Sequence, residues 1–448
     1  MAENNERNLP VLQQSGEEKT TVGNYFVSNY PPYSFWKPDQ VQEVERVLDT
    51  PADDGTPLGL YMHIPFCRKR CDFCYFKVYT DKNAKQIRRY LDAAIDEMAR
   101  LASRPRLQNR KLDFVYFGGG TPSYLSVEQL AYLFEGLRAN LPWDGAEEIA
   151  FECEPGTLQE KKIRALRDMG ITRLSLGVEN FNPEVLELNN RAHRAKEIYK
   201  AYEIARDCGY PQINIDLIAG MLDESDDNWK MCIDDTLKLA PESVTIYQME
   251  IPYNTTIYRR MREDGTRVAP VADWQTKRRW VTEAFARLQS EGGYKVGSAY
   301  TAVKDDSVDF LYRDLLWGGA DMVGIGVSSI SHVGGVHYQN EHKFDPYVER
   351  VEAGELPIQR ALAISDDERF IREFVLQLKI GSSNIGYFEE KFGVNPAVRY
   401  RDKLARHQSE GMLTFSDSNI NLTQEGLLQV DRILYDFFLD EHRDARYA

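Results

Sequence analysis

Two hydrophobic rhythms alternate along the chain from Gly59 onward. Short apolar runs, LGLYMHI (58–64), KLDFVYFGGG (111–120), EEIAFECEP (147–155), RLSLGVEN (173–180), QINIDLIAG (212–220) and SVTIYQMEI (243–251), have the length and the β-branched and aromatic content of strands. Between them, stretches such as QIRRYLDAAIDEMARLAS (86–103) and VEQLAYLFEGLRANL (127–141) repeat apolar residues at the three-to-four spacing of amphipathic helices. The alternation predicts repeated βα units around a parallel sheet, with six units between about residues 58 and 300.

The period of two within these strands separates a polar face from an apolar one. Glu152 and Glu154 share a side with Ala150, opposite Ile149, Phe151 and Cys153. Arg173, Ser175 and Glu179 oppose Leu174, Leu176 and Val178, and Asn214 and Asp216 alternate with Ile213, Ile215 and Leu217. Parallel strands buried on both sides are usually apolar on both, so three successive polar faces predict a partial (β/α)6 TIM-type barrel whose lumen holds a polar ligand. The rest of the chain is read around this barrel of 58–300. Residues 1–57 contain NYFVSNYPPYSFW (24–36), too aromatic for a disordered tail, and read as an arm packed on the body. Residues 301–358 read as a barrel extension. Over 359–448, helical stretches, a hairpin in GMLTFSDSNINLTQEG (411–426) and a closing helix in GLLQVDRILYDFFLDEH (426–442) predict a small, mostly helical, winged-helix-like domain.

Composition narrows the chemistry. A chain of 448 residues that is 42% hydrophobic buries a large core, and its formal net charge of −15 opposes broad contact with phosphate backbones, so no nucleic-acid partner is expected. MAENNERNLPVLQQ lacks an apolar signal core and no run of 18 apolar residues occurs, which predicts no membrane span and a cytoplasmic setting. In a reducing compartment the six cysteines are free for metal or redox work.

Half of them crowd into HIPFCRKRCDFCYF (63–76), as Cys67, Cys71 and Cys74 in C-x3-C-x2-C spacing. Three thiolates fall one short of a closed structural zinc site and suit a [4Fe–4S] cluster with one iron left open to a ligand. Arg68, Lys69 and Arg70 are placed to offset the cluster's negative charge, and Tyr75 and Phe76 to shield it. His63, within the preceding strand, reads as a supporting residue rather than a ligand.

With that motif at the end of its first strand, the sequence resembles the radical S-adenosylmethionine (SAM) superfamily. YMHIPFC (61–67), FGGGTPSYL (117–125), RLSLGVENFN (173–182), NNR (189–191), NIDLIAG (214–220) and GIGVSSIS (324–331) together resemble its oxygen-independent coproporphyrinogen III oxidase family over nearly the whole chain. The resemblance implies that Cys67, Cys71 and Cys74 hold the cluster and that its open iron takes the amino and carboxylate groups of SAM. It further implies that Gly118, Gly119, Gly120 and Thr121 approach the SAM amino group, that Glu152 accepts from the ribose hydroxyls, and that Arg191 meets the SAM carboxylate. Tyr61, Glu179 and Asp216 fall at other positions of that pocket. Taken as bare residues, the glycines equally suit a tight turn, Glu152, Arg191 and Asp216 a salt bridge, and Tyr61 the core. The resemblance also implies one or two SAM molecules, a small-molecule substrate and a reducing electron donor such as flavodoxin or ferredoxin.

The sequence leaves the family pattern at three places. The oxidases' fourth cysteine is replaced by Phe76, a glutamine of the family by Glu179, and their longer segment before GIGVSSIS by FLYRDLLWGGADMVGIG (310–326). That shorter segment is similar to the haem-chaperone branch, yet Tyr312, Arg313, Asp314 and Trp317 stand where its haem motif belongs. Carbon methyltransferases and cyclopropane-forming enzymes of the same branch need only three cysteines. The expectation is therefore a radical SAM enzyme that abstracts hydrogen from carbon and leads to methylation or cyclopropanation with a second SAM. The alternatives are oxidative decarboxylation of coproporphyrinogen III and non-enzymatic haem carriage. Arg259, Arg260 and Arg262 suit either propionate recognition or an ordinary solvated helix face.

Overall fold

The chain enters the body through the arm, which forms two single 3-10 turns and α1 (Val41–Leu48), and then builds β1 (Leu58–Ile64). The computed structural model describes residues 27–52, 55–252, 254–263 and 270–443. From β1 the predicted alternation follows: α2 (Ala84–Ala102), β2 (Phe114–Gly119), α3 (Val127–Asn140), β3 (Glu148–Cys153), α4 (Glu160–Asp168) and β4 (Arg173–Glu179). It continues with α5 (Pro183–Leu188), α6 (Ala195–Asp207), β5 (Gln212–Ala219), α7 (Asp226–Leu239), β6 (Ser243–Gln248), α8 (Thr256–Glu263) and α9 (Trp274–Gly292). Strands β1 to β6 are neighbours in sequence order and every pair is parallel. This is the α/β arrangement of six βα units that the alternation predicts.

Local chemistry starts the helices cleanly. Asn83 with Gln86 and Ser126 with Gln129 form reciprocal capping boxes at the first turns of α2 and α3. The apolar strand faces pack outward against the helices: Leu60, Met62, Ile64, Val115, Phe117, Phe151, Leu174, Leu176, Ile213 and Ile215 are all buried in one core. Each such side chain contributes about 1.5–3 kcal/mol on burial. The opposite, polar face is left to line the lumen.

The sheet is wider than the six units. It gains β7 (Lys295–Val296), β8 (Thr301–Val303), then after α10 (Leu311–Trp317) β9 (Asp321–Ile325), β10 (Ile330–Val333) and β11 (Val336–Asn340), and after α11 (Phe344–Glu352) β12 (Ile358–Ala363). The strand order is β12-β11-β10-β9-β1-β2-β3-β4-β5-β6-β8-β7, with β9 parallel to β1 and β10, β11 and β12 antiparallel. The segment 301–358, read as a barrel extension, thus adds β8 to β11 and the start of β12 to the sheet, with α10 and α11 between them.

The C-terminal region opens with α12 (Asp366–Leu378) and α13 (Ile385–Phe392) and carries a three-stranded sheet of Ser382–Asn384, Leu413–Phe415 and Asn419–Leu422. The single closing helix expected over 426–442 is instead broken into Gln424–Leu428, Val430–Leu434, a 3-10 turn at Tyr435–Phe437 and Asp440–Arg443. The break comes at Gln429, whose φ of −114° and ψ of 18° leave helical geometry. It lets Asp431 face Lys379, whose buried Nζ donates to it at 3.1 Å and also donates to the carbonyl of Val27 in the arm. Arm and C-terminal helices therefore share a second core, in which Tyr30 packs on Phe438 and His442.

Candidate active site

The cysteine loop follows β1 directly and is held from several sides. The three residues of NNR each brace it: the carbonyl of Asn189 accepts from the Asp72 N–H, the Asn190 side chain donates to the carbonyl of Arg70, and Arg191 Nη1 donates to Cys71 Sγ at 3.2 Å. From β2, Thr121 Oγ1 donates to Cys67 Sγ at 3.2 Å. From α8, Arg260 pairs with buried Asp72 and Ile257 N–H donates to the Asp72 carbonyl. Arg260 thus braces the loop, Arg259 is exposed, and the side chain of Arg262 lies outside the described residues.

The basic residues of the loop are partly committed. Arg68 bonds both oxygens of Glu154, and Arg70 donates to the carbonyls of Cys74 and Asn254. Lys69 is exposed, as are Tyr75 and Phe76 at 45% and 46%, so these two rings leave part of the loop open to solvent. Burial pushes the Cys67 thiol up to about 12 and Cys74 to about 11, so these two are neutral thiols in the bare loop and a metal must displace their protons. Among the described residues no three His, Cys, Asp or Glu side chains stand close enough to hold one metal ion. Three free thiols on one loop fall one short of a closed zinc site and suit a [4Fe–4S] cluster with one iron left open. Cys153 and Cys232 are buried and Cys208 partly so; Cys153 donates to its own strand's carbonyl at Phe151 and Cys232 to Asn180.

Below the loop, the lumen gathers the polar residues of β1 to β5. Glu152 takes the Tyr116 hydroxyl on one oxygen at 2.7 Å and the Gly119 N–H on the other at 3.0 Å. Gly118 is packed so closely that a Cβ there would lie 2.8 Å from the Tyr116 ring and 3.1 Å from the Glu152 carboxyl. Gly119, at φ +115°, would drive a Cβ to 2.6 Å from the His63 ring, and Gly120 to 2.9 Å from the backbone of Pro65. The three glycines form a cradle with no room for side chains. His63 shares a 3.0 Å hydrogen bond with the Tyr61 hydroxyl, and burial lowers it to about 4, so it is a neutral imidazole that orients Tyr61. Asp216 accepts from Ser175 and Asn214 at 2.9 and 2.8 Å.

Glu179 lies at 3.4 Å from Arg191 Nη2, and Nη2 also donates to the Gly177 carbonyl. The Nε of Arg191 is buried without a protein acceptor, an orphan donor of the kind that a ligand carboxylate satisfies. The floor is closed by Arg173, paired with Glu148 at 2.6 Å and lying under the rings of Phe310 and Tyr312. Glu148, Glu152, Glu179 and Asp216 gather here against Arg173, Arg191 and Arg313, and burial raises each of the four carboxyls, Glu152 and Glu179 to about 7. A lumen with excess acidity suits a sulfonium-bearing guest. A separate cavity of 640 Å³ lies outside the barrel among Lys82, Tyr124, Lys161 and Lys162 and includes none of these residues.

The residues that the resemblance assigns to the cluster and to SAM therefore meet at one end of the barrel: Cys67, Cys71 and Cys74, the glycines with Thr121, and Tyr61, Glu152, Glu179, Arg191 and Asp216. Sequence reasoning missed Tyr116, Asn190, Asp72 and Tyr312. The polar-face periodicity that found Glu152 also covers Tyr116 on β2, and NNR already contained Asn190; Tyr312 stands out only where the haem motif is missing, with nothing local to place it in the lumen.

Comparison with known proteins agrees in its extent. The Radical SAM superfamily model matches residues 61–236, and the HemN C-terminal domain model matches 365–428. The chain is similar to an oxygen-independent coproporphyrinogen III oxidase of Pseudomonas aeruginosa, 29% identical over 414 residues and 88% of each chain. It is also similar to a haem chaperone of Bacillus subtilis, 26% identical over 82% of this chain and 96% of that protein. The solved coproporphyrinogen III oxidase of Escherichia coli superposes with a TM-score of 0.80 at 26% identity, covering 92% of this chain and 96% of the other.

Proposed function

The chain belongs to the radical SAM superfamily, in its oxygen-independent coproporphyrinogen III oxidase-like family, and from that premise we propose that it oxidatively decarboxylates propionate side chains of a porphyrinogen. A [4Fe–4S] cluster and SAM are the cofactors of that superfamily, and when bound they supply one-electron cleavage of the sulfonium and a carbon radical that abstracts hydrogen. The observation that carries the reading is the reach of the similarity, which takes in arm, barrel and C-terminal domain together rather than the cluster loop alone.

The chain's own residues have defined parts in this reading. Cys67, Cys71 and Cys74 hold the cluster; the Gly118–Gly120 cradle and Thr121 let backbone approach the SAM amino group; Glu152 receives the ribose hydroxyls; Arg191 receives the SAM carboxylate through its orphan Nε. Tyr61, fixed by His63, and Asp216, fixed by Ser175 and Asn214, wall the same space. The methyl-transferring expectation, which leaned on the three-cysteine loop, finds no support in the comparisons, whose full-length relatives bear oxidase and chaperone names. Haem carriage stays as the second reading, favoured by the match to 96% of a chaperone.

The test is to incubate reduced, reconstituted protein with SAM and coproporphyrinogen III and to analyse all products by mass spectrometry. Loss of carbon dioxide from the porphyrinogen with 5′-deoxyadenosine is expected. An untouched porphyrinogen, with stoichiometric haem binding and no SAM cleavage, would replace this reading with the second.

A further inference from the structure

Glu179 is held in its place at a conformational cost. Its φ of +63° lies in the left-handed region, unusual for a residue other than glycine, and it sits where β4 slips register against β5 between Gly177 and its own position. That backbone delivers the carboxylate to Arg191, and among the described residues no hydrogen-bond donor of ordinary geometry reaches it. Arg191 is itself almost enclosed, 10% exposed, with Nη1 committed to Cys71, Nη2 to Gly177 and Glu179, and Nε unpartnered. The other ionisable groups facing Glu179 are Asp216 from β5 and Glu152 from β3, both of its own sign. An amide in the same place would leave the guanidinium its full charge.

We propose that Glu179 competes with the carboxylate of SAM for Arg191, and so sets how tightly this chain holds SAM. The inference rests on the reading that Arg191 receives that carboxylate. Burial, opposed by Arg191 and aided by Asp216 and Glu152, pushes Glu179 up to about 7. Below that pH the neutral acid releases the guanidinium to the ligand; above it the carboxylate holds the guanidinium back. SAM affinity therefore falls as pH rises, and the fall belongs to position 179.

The experiment is equilibrium dialysis of SAM against anaerobically reconstituted wild type and Glu179→Gln between pH 6 and 8.5, with iron content followed by absorbance. Wild type is expected to lose about tenfold in affinity across that range, whereas Glu179→Gln binds about tenfold more tightly at pH 8.5 and changes little with pH. Titration of SAM itself is common to both proteins and cancels in the comparison. Equal or weaker binding by Glu179→Gln would overturn the competition, weaker binding making Glu179 an acceptor for the SAM ammonium instead. If iron is retained and neither protein binds SAM at any pH, the SAM reading itself has failed, and the inference with it.

Discussion

Gly119 admits no other residue for two independent reasons, its φ of +115° and the His63 ring 2.6 Å from where a Cβ would stand. Gly119→Ala is expected to cost about 1–3 kcal/mol of stability, read as a lowered thermal midpoint, and to loosen the N–H that anchors Glu152. The thiols give a cleaner contrast. Wild type reconstituted without oxygen should hold about four irons. Changing Cys67, Cys71 or Cys74 to Ala should abolish that iron, and changing Cys153, Cys208 or Cys232 should leave it; iron analysis with visible absorbance decides, and a requirement for Cys153 would undo the assignment. At this scale the sequence was most legible where chemistry is written in residue type and spacing: the thiols, the glycines and the alternating carboxylates. It marked Tyr312 only as a departure from the haem motif and not as a wall of the lumen floor, which it reaches because α10 folds beneath the barrel, 4.6 Å from the Tyr116 ring.

The elements that hold the cysteine loop belong to three different βα connections, and the Arg260–Asp72 pair ties it to α8. Asp72 is buried and Arg260 is 46% exposed. Arg260→Ala should therefore weaken the loop by about 1 kcal/mol and speed loss of iron to a chelator, with the fold kept as judged by circular dichroism. An unchanged rate of iron loss would show that the other braces suffice. The strands β1 to β6 were readable because each carries a β-branched and aromatic apolar face at period two, with a turn and a helix after it. The strands β7 to β12 were not. They are two to six residues long, and β11 (VHYQN) buries His337 and Asn340, whose polarity is answered by Asn29 and by Glu97 from distant parts of the chain. A hydrophobic pattern cannot report a strand whose buried residues are polar and whose partners lie hundreds of positions away.

Across the whole molecule, arm, barrel and C-terminal region meet at one buried group. Lys379 Nζ reaches Val27 and Asp431, and Asp431 also accepts from Val27 N–H and the Tyr300 hydroxyl. Asp431→Ala removes a hydrogen-bonded carboxylate from the buried Lys379 ammonium, which Glu250 also faces, and should cost about 3 kcal/mol, seen in chemical unfolding. Stability should also depend on pH in a stated direction. Glu97, Glu152 and Glu179 are raised by burial to about 7 and Glu224 to about 8, so folding favours their protonated forms. That contribution is complete below the ordinary carboxylate range and is lost as pH climbs through 7 to 8, while His63, lowered to about 4, opposes folding only on the acid side. Thermal midpoints of the metal-free protein should fall between pH 6 and 7, before deprotonation of buried Lys277, lowered to about 7, begins to favour folding; a rise over that interval would contradict the burial of these carboxyls. The bracing of the cysteine loop carries the last consequence. Because NNR, Thr121 and α8 all clasp the same few residues, a cluster held by Cys67, Cys71 and Cys74 would act as a rivet through three separate connections, and its loss should raise hydrogen exchange in all three together. Oxygen, by destroying that rivet, would then mark the chain for proteolysis, turning chemical damage into turnover.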